Sequence, residues 1–280
     1  MSRSSKILSR LYVGLILVFL YAPIFIMIFF SFNEGKSLSV FSGFSLHWYR
    51  ELFARAEVME ALKNTLILAI VSSLVATVIG TAAAVGISKM KNRYLKNSLM
   101  SVSNIPMMNP DIVTGISLAL LFTFVMTALG LTSVFGFFTV LIAHVTFNIP
   151  YVILSVLPKL RQMDKHLPEA ARDLGCTPIQ SFFRVELPAI LPGILSGFLM
   201  AFTLSLDDFV ISYFNTEDFQ TLPIVIYGMT KRTVTPDMYA LSTLIFGTVL
   251  LLLVLSNVMS ARQESREARL ARKKRKEAAK

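Results

Sequence analysis

The sequence predicts an all-α integral membrane protein with six helical spans, and three observations carry that prediction. Hydrophobic residues make up 54% of the 280 and charged residues 16%, with a mean hydropathy of +0.64, so most of the surface must face lipid. Six apolar segments, at about 11–32, 64–88, 105–129, 135–158, 193–214 and 237–259, contain no Lys or Arg. Each reaches the roughly 20 helical residues needed to cross a hydrocarbon core of about 30 Å. The 27 Lys and Arg residues also alternate along the chain. Residues 1–10, 89–98, 159–190 and 260–280 carry three, four, five and nine, while 33–63 and 215–236 carry four and two. Cytoplasmic loops collect cations, so both termini are expected in the cytoplasm.

The first run, from Leu11 to Phe32, follows three cations but is too long for a secretory h-region, and no small-x-small site follows it. It is read as a retained span within a segment 1–63 that precedes the core. Between the first two spans, Trp48, Tyr49, Leu52 and Phe53 fall at helical spacing beside Arg50, Glu51 and Glu57. The expectation is a short amphipathic helix whose aromatics anchor it at the outer headgroup level, with docking to an external partner as the lesser alternative.

The second span opens the core, 64–259, and is rich in small residues near its end, Gly80, Ala82, Ala83, Ala84 and Gly86, which let helices approach closely. After the basic turn KMKNRYLK, the third span begins SNIPMMNPDIV, with Pro106 and Pro110 four residues apart. Proline removes an amide donor and clashes with the preceding turn, so an irregular start is expected. Asn109 and Asp111 there have two compatible readings: lining a pathway where the helix is interrupted, or ordinary N-terminal capping with Pro110 at the first helical position. The fourth span carries His144 and Asn148 on one face. Interhelical hydrogen bonding is favoured for them, with a polar face toward a pathway as the alternative. A single His without a second His, Cys or carboxylate cluster gives no basis for a metal site.

The segment 169–188, EAARDLGCTPIQSFFRVELP, lies in the cytoplasmic loop 159–190 between the fourth and fifth spans. Pro168 precedes a short helix from Glu169 to Leu174, which Gly175 ends, since glycine readily takes left-handed backbone. Thr177 and Pro178 start a second helix, Ile179 to Glu186, as N-cap and first residue. Leu174, Ile179, Phe182 and Phe183 among Arg172, Asp173, Arg184 and Glu186 compose a surface suited to a groove on another protein. A helical knuckle lying on lipid headgroups is the plainer alternative.

The fifth span contains Asp207 and Asp208 about fifteen residues in, roughly 21 to 22 Å deep. Carboxylates inside a span usually mark a pathway or a partner charge, and none of the six spans supplies a Lys or Arg. A cationic substrate would supply that charge. Successive residues lie about 100° apart on a helix, so only one Asp can face the path squarely. Asp208 is assigned the path and Asp207 a structural role, its donors including Ser205 or Ser212; the bland reading makes both structural. Cys176 has no partner for an intrachain disulfide. The tail RQESREARLARKKRKEAAK suits anionic lipid rather than nucleic acid, which would require a folded platform. No G-x-x-x-x-G-K-[ST] occurs, so ATP is not bound here through a Walker motif, and no catalytic residue is assigned.

The E-A-A start at Glu169, Ala170 and Ala171, the six-residue step to Gly175, and the ending Val185, Leu187, Pro188 resemble the EAA loop of ABC importer permeases, with Val185 where Ile is more usual. The blocks SLDDFVISYF, NPDIV and FTLS, with EAARDLG, look like the PotC-type permeases of spermidine and putrescine importers over nearly the whole chain. That resemblance implies a type I ABC importer permease fold in a bacterial inner membrane and half of a translocation pathway. It makes Glu169, Ala170, Ala171, Gly175, Leu187 and Pro188 ATPase-coupling residues, while the reading of the spans themselves makes Asp208, Asp207, Asp111, Asn109 and Asn148 path candidates. It further implies a PotB-type second permease, a PotA-type ATPase dimer holding ATP and Mg2+, and a PotD-type polyamine-binding protein. Two alternatives stay open: an ABC permease for another substrate, such as an organic cation, amino-acid derivative or metal chelate, and a self-sufficient secondary transporter.

Overall fold

The computed structural model describes residues 3–37, 40–130, 135–164, 166–232, 235–251, 254 and 258. Among these the secondary structure is helical throughout, apart from one isolated bridge between Asn33 and Phe44. The chain divides into two compact units, one within Met1–Glu60 and Val225–Leu250, the other within Ala61–Ile224 and Leu251–Lys280. The basic tail and part of the expected sixth span lie outside the described residues.

In the first unit, helix α1 (Arg3–Phe30) includes an apolar stretch, Leu8–Phe30, with no buried residue. The loop after it is organised by one side chain. Asn33 is fully buried, donates from Nδ2 to the carbonyls of Ser37 and Val40 at 3.0 and 2.9 Å, and accepts from the Ser42 amide at 2.7 Å. Helix α2 (His47–Ala54) closes against this loop: Trp48 Nε1 donates to the Asn33 carbonyl at 2.7 Å, and the Tyr49 and Ser31 hydroxyls lie 2.7 Å apart. Trp48 is only 6% exposed. The expected headgroup anchor is therefore corrected: its principal aromatic is a core residue, because the loop backbone offers the indole N–H a buried acceptor. Arg55 Nη1 also pairs at 2.6 Å with the buried Asp237 in helix α12 (Pro236–Leu251), which follows α11 (Leu222–Arg232) in the chain.

The second unit is built on helices α3 (Ala56–Lys89), α6 (Phe137–Gln162) and α9 (Leu187–Asp207). Small residues set their separation. A Cβ on Gly80 of α3 would stand 2.7 Å from Val152 Cβ of α6, and one on Gly193 of α9 would stand 2.9 Å from the Ser155 carbonyl of α6. Ala76, Ala84, Ile87, Val152, Val156, Leu160, Ile190 and Ala201 fill the resulting seam. With lipid outside as apolar as the seam itself, close packing rather than exclusion from water holds such helices together.

Helix α4 (Arg93–Met108) starts under an Asn92 cap that accepts the Tyr94 and Leu95 amides at 3.0 and 3.2 Å. Its end and the start of α5 (Asp111–Ala128) are the interruption expected around Pro106 and Pro110. The capping detail differs: Asn109 terminates α4, and Pro110 itself precedes α5, its fixed φ of −58° suiting the entry. The fifth span also departs from expectation. Instead of one helix over 193–214, α9 ends at Asp207 and a short helix α10 (Val210–Phe214) restarts the chain. Among the described residues, five helices are long and apolar enough to cross a membrane, and α12 is a shorter apolar helix.

Candidate functional site

The break between α9 and α10 is made by Asp208. Its backbone is extended, with φ −64° and ψ 122°, which ends the run of α9. Its carboxylate then accepts the free amides that open α10: Ile211 N at 3.2 Å on Oδ1 and Ser212 N at 2.8 Å on Oδ2, with the Ser212 hydroxyl at 2.9 Å. A carboxylate two positions before a helix complements both the orphan donors and the positive end of the dipole.

Asp208 is also one end of a buried polar chain. His144 Nε2 lies 3.3 Å from Asp208 Oδ2 and 2.9 Å from Ser212 Oγ, and His144 Nδ1 lies 2.9 Å from Ser205 Oγ. Ser205 Oγ further accepts from Asn148 Nδ2 at 2.9 Å and meets Ser72 Oγ at 2.8 Å. The Ser212 hydroxyl gives its one hydrogen to Asp208, so its oxygen can only accept from His144, which places a proton on Nε2. Ser72, His144, Asn148, Ser205 and Ser212 are all buried. This cluster clips α3, α6, α9 and α10 together where no water can compete, and each of its donors removed would leave a partner unmatched.

Asp207 faces the other way. It is exposed, and the charges that bear on it are those of Asp208 and, more weakly, Asp111. The packing of α5 on α10 explains that proximity. Asn215 Nδ2, just past α10, donates to the Gly115 carbonyl at 3.2 Å, and a Cβ on Gly115 would come within 3.4 Å of Ile211 Cα and the Val210 carbonyl. Asp111, one turn before Gly115 and itself exposed, is thereby carried to the α9–α10 break. Neither carboxylate has an ion-pair partner among the described residues.

The contacts fall on the opposite aspartate from the one given a structural role on sequence: Asp207 is exposed and Asp208 is bonded. Asp208 spends its oxygens on the protein, because a helix break lets an adjacent pair diverge far more than the 100° of a continuous helix. Asn148, another path candidate, is buried and donates to Ser205, and Asn109 is an exposed residue at the end of α4. His144 supplies the Asp208 partner that a search for Lys and Arg within spans could not find. Ser72 carried no sequence signal, because a lone serine in an apolar helix has many uses.

The loop 159–190 forms the expected knuckle. Helix α7 (Leu167–Asp173) stops where Gly175 adopts φ +89°, with Gly175 N donating to the Arg172 carbonyl at 2.8 Å. Thr177 caps α8 (Pro178–Ser181), accepting the Gln180 amide at 3.3 Å while Gln180 Oε1 accepts the Thr177 amide at 3.1 Å. The second helix does not run on regularly to Glu186: residues Phe182–Glu186 make a wider π-helical turn that leads into α9. Leu174, Ile179 and Phe183 are exposed, at 87%, 71% and 59%. Glu169 and Ala170 are exposed, Glu169 lying 3.2 Å from His166 Nδ1, whereas Ala171 is buried and belongs to the inside of the knuckle. Leu187 is half-buried and Pro188, exposed, stands in the first turn of α9.

Comparison with known proteins accounts for this combination. The family described as binding-protein-dependent transport system inner membrane component matches residues 76–269. The chain belongs to that family. It is therefore a permease, the membrane subunit of an ABC transporter rather than the catalytic one. Relatives include the putrescine transport system permease protein PotI of Escherichia coli K12, 38% identical over 90% of each chain. Another is the spermidine/putrescine transport system permease protein PotC of Haemophilus influenzae, 34% identical over 90% of this chain and 96% of that one. Among solved structures, a chain of the bacterial ABC transporter that imports the acidic polysaccharide alginate superposes with a TM-score of 0.70 at 17% identity, covering 93% of this permease and 96% of that chain. The MetNI methionine ABC transporter does so with a TM-score of 0.59 at 19% identity, over 73% and 95%. These two fix the fold as that of ABC importer membrane subunits.

Proposed function

We propose that this permease forms half of the translocation pathway of an ATP-driven importer for polyamines, and that Asp207 and Asp111 are the carboxylates its cargo meets. The observation that carries the reading is the pair itself: two exposed acidic groups on the two elements that meet at the helix break, α9 and α5, the latter packed on α10 through Asn215 and Gly115, with no ion-pair partner on either among the described residues. Like charges held close in a poorly screened setting repel. A chain bearing ammonium groups several ångströms apart relieves that repulsion at both carboxylates, which a small monovalent cation cannot do at once. The names of the permeases PotI and PotC, putrescine and spermidine, accord with it. Asp208, His144 and Ser205 hold the break that aims Asp207 outward.

On this reading ATP and Mg2+ are held by a separate ATPase dimer, which docks on the knuckle through Leu174, Ile179 and Phe183 with Glu169, Ala170 and Gly175 shaping the surface. A second permease completes the path and a binding protein outside the inner membrane delivers the polyamine. The chain crosses six times, with both ends in the cytoplasm. The deciding experiment reconstitutes the importer and measures ATPase stimulation by the binding protein loaded with putrescine, spermidine, an inorganic cation or an anion. Stimulation by the polyamines and loss of uptake in Asp207→Asn support the reading; stimulation by an anionic ligand alone overturns it.

A further inference from the structure

The joint between the knuckle and the membrane helices contains an ion pair that the transport chemistry does not use. Glu186 is the last residue of the π-helical turn Phe182–Glu186, and its side chain is 3% exposed. Both its oxygens lie on Lys89 Nζ, at 3.0 and 2.8 Å, and the same Nζ stands 5.7 Å over the Phe182 ring. Lys89 is the last residue of α3. One turn or less inside the joint, Ile87 and Ile190 pack in the same apolar seam.

Along the chain, a force applied to α8 passes into α9 through residues 182–186. A π-helical turn is wider and less regularly bonded than an α-helix, so it is where a bend is most easily absorbed. The ion pair fastens the far end of that turn to a second helix. From Lys89 back to Ser72 is about 26 Å along α3, and from Glu186 to Ser205 about 28 Å along α9, at 1.5 Å per residue. The two antiparallel helices are therefore fastened at both ends of nearly equal lengths: by Lys89 and Glu186 at the knuckle, and by the Ser72 and Ser205 hydroxyls, 2.8 Å apart, beside the Asp208 break.

We propose that Lys89 and Glu186 are positioning residues for energy coupling, making α3 and α9 move as one lever so that displacement of the knuckle arrives at the break instead of being lost in the π-helical turn. This rests on the reading of the knuckle as the ATPase docking surface. A buried carboxylate stripped of its cation is costly, so the informative variants remove both charges or keep the shape. In proteoliposomes holding the full importer, the readout is putrescine or spermidine taken up per ATP hydrolysed. Lys89→Met with Glu186→Met together should assemble and hydrolyse ATP while that ratio falls by about fivefold or more, the low end of a typical coupling energy. Glu186→Gln, isosteric and still able to accept one hydrogen bond, should fall in between, and Lys89→Arg should stay near the parent.

A parent-like ratio in Glu186→Gln overturns the proposal, and it decides the matter alone should the double variant fail to assemble. The premise has a separate readout. Leu174→Asp should abolish retention of the ATPase by the purified complex; if it does not, the docking reading fails. If it does while Glu186→Gln couples normally, only the lever fails.

Discussion

Asp208 Oδ2 lies 3.3 Å from His144 Nε2, a contact between α6 and the gap that separates α9 from α10. Two adjacent aspartates that look alike in sequence are thereby given different work: one holds the break, the other is presented beyond it.

Replacement of the two should separate cleanly. Asp207→Asn should leave thermal stability within about 0.5 kcal/mol, as exposed substitutions do, yet lower polyamine uptake. Asp208→Ala strips acceptors from Ser212 and His144 and should cost about 1–3 kcal/mol for each buried group left unmatched, seen as a lowered melting temperature and lowered membrane yield. Equal stability in the two variants would contradict the division of roles.

His144→Phe keeps a ring but removes both nitrogens, leaving Ser205 and Ser212 each short of a partner. A destabilisation of about 2 kcal/mol or more is expected, with Ser72→Ala milder because Ser205 keeps Asn148 and His144. Detergent melting curves of the purified complex measure both.

Gly80→Val should prevent normal assembly. Its first added carbon would already lie 2.7 Å from Val152 Cβ, well inside contact distance, and overpacking of this kind costs about 1–3 kcal/mol. Gly86→Val, where nothing stands within 4 Å, is the matched control and should assemble like the parent.

Gly175→Pro should uncouple ATP hydrolysis from uptake. Proline fixes φ near −65° and has no amide, whereas Gly175 sits at +89° and donates to Arg172. Gly175→Ala, strained by about 1–2 kcal/mol, should show the same defect more weakly. Uptake per ATP is the measurement, and unchanged coupling in the proline variant would remove the turn from the docking surface.

The knuckle was legible because its signals are local: Gly175, Thr177 and Pro178 each act on neighbours within a few residues, and their caps and turn follow from backbone chemistry alone. The π-helical turn after it was not, since nothing in FFRVE differs from an ordinary helix, and the partner of its last residue, Glu186, is Lys89, ninety-seven residues away. Trp48 was misplaced for a similar reason. Its spacing beside Tyr49 and Phe53 gives a face but not which way the face turns, and the buried carbonyl of Asn33 decides that.

Periodicity, charge distribution and capping residues determined that this chain is a bundle of membrane helices with a patterned loop, because helix length and lipid exposure follow from composition over twenty residues. Which aspartate faces outward was decided only in three dimensions. A carboxylate's role depends on whether donors lie within about 3 Å of it, and for Asp208 three of those donors come from α10 while a fourth comes from His144, sixty-four residues earlier.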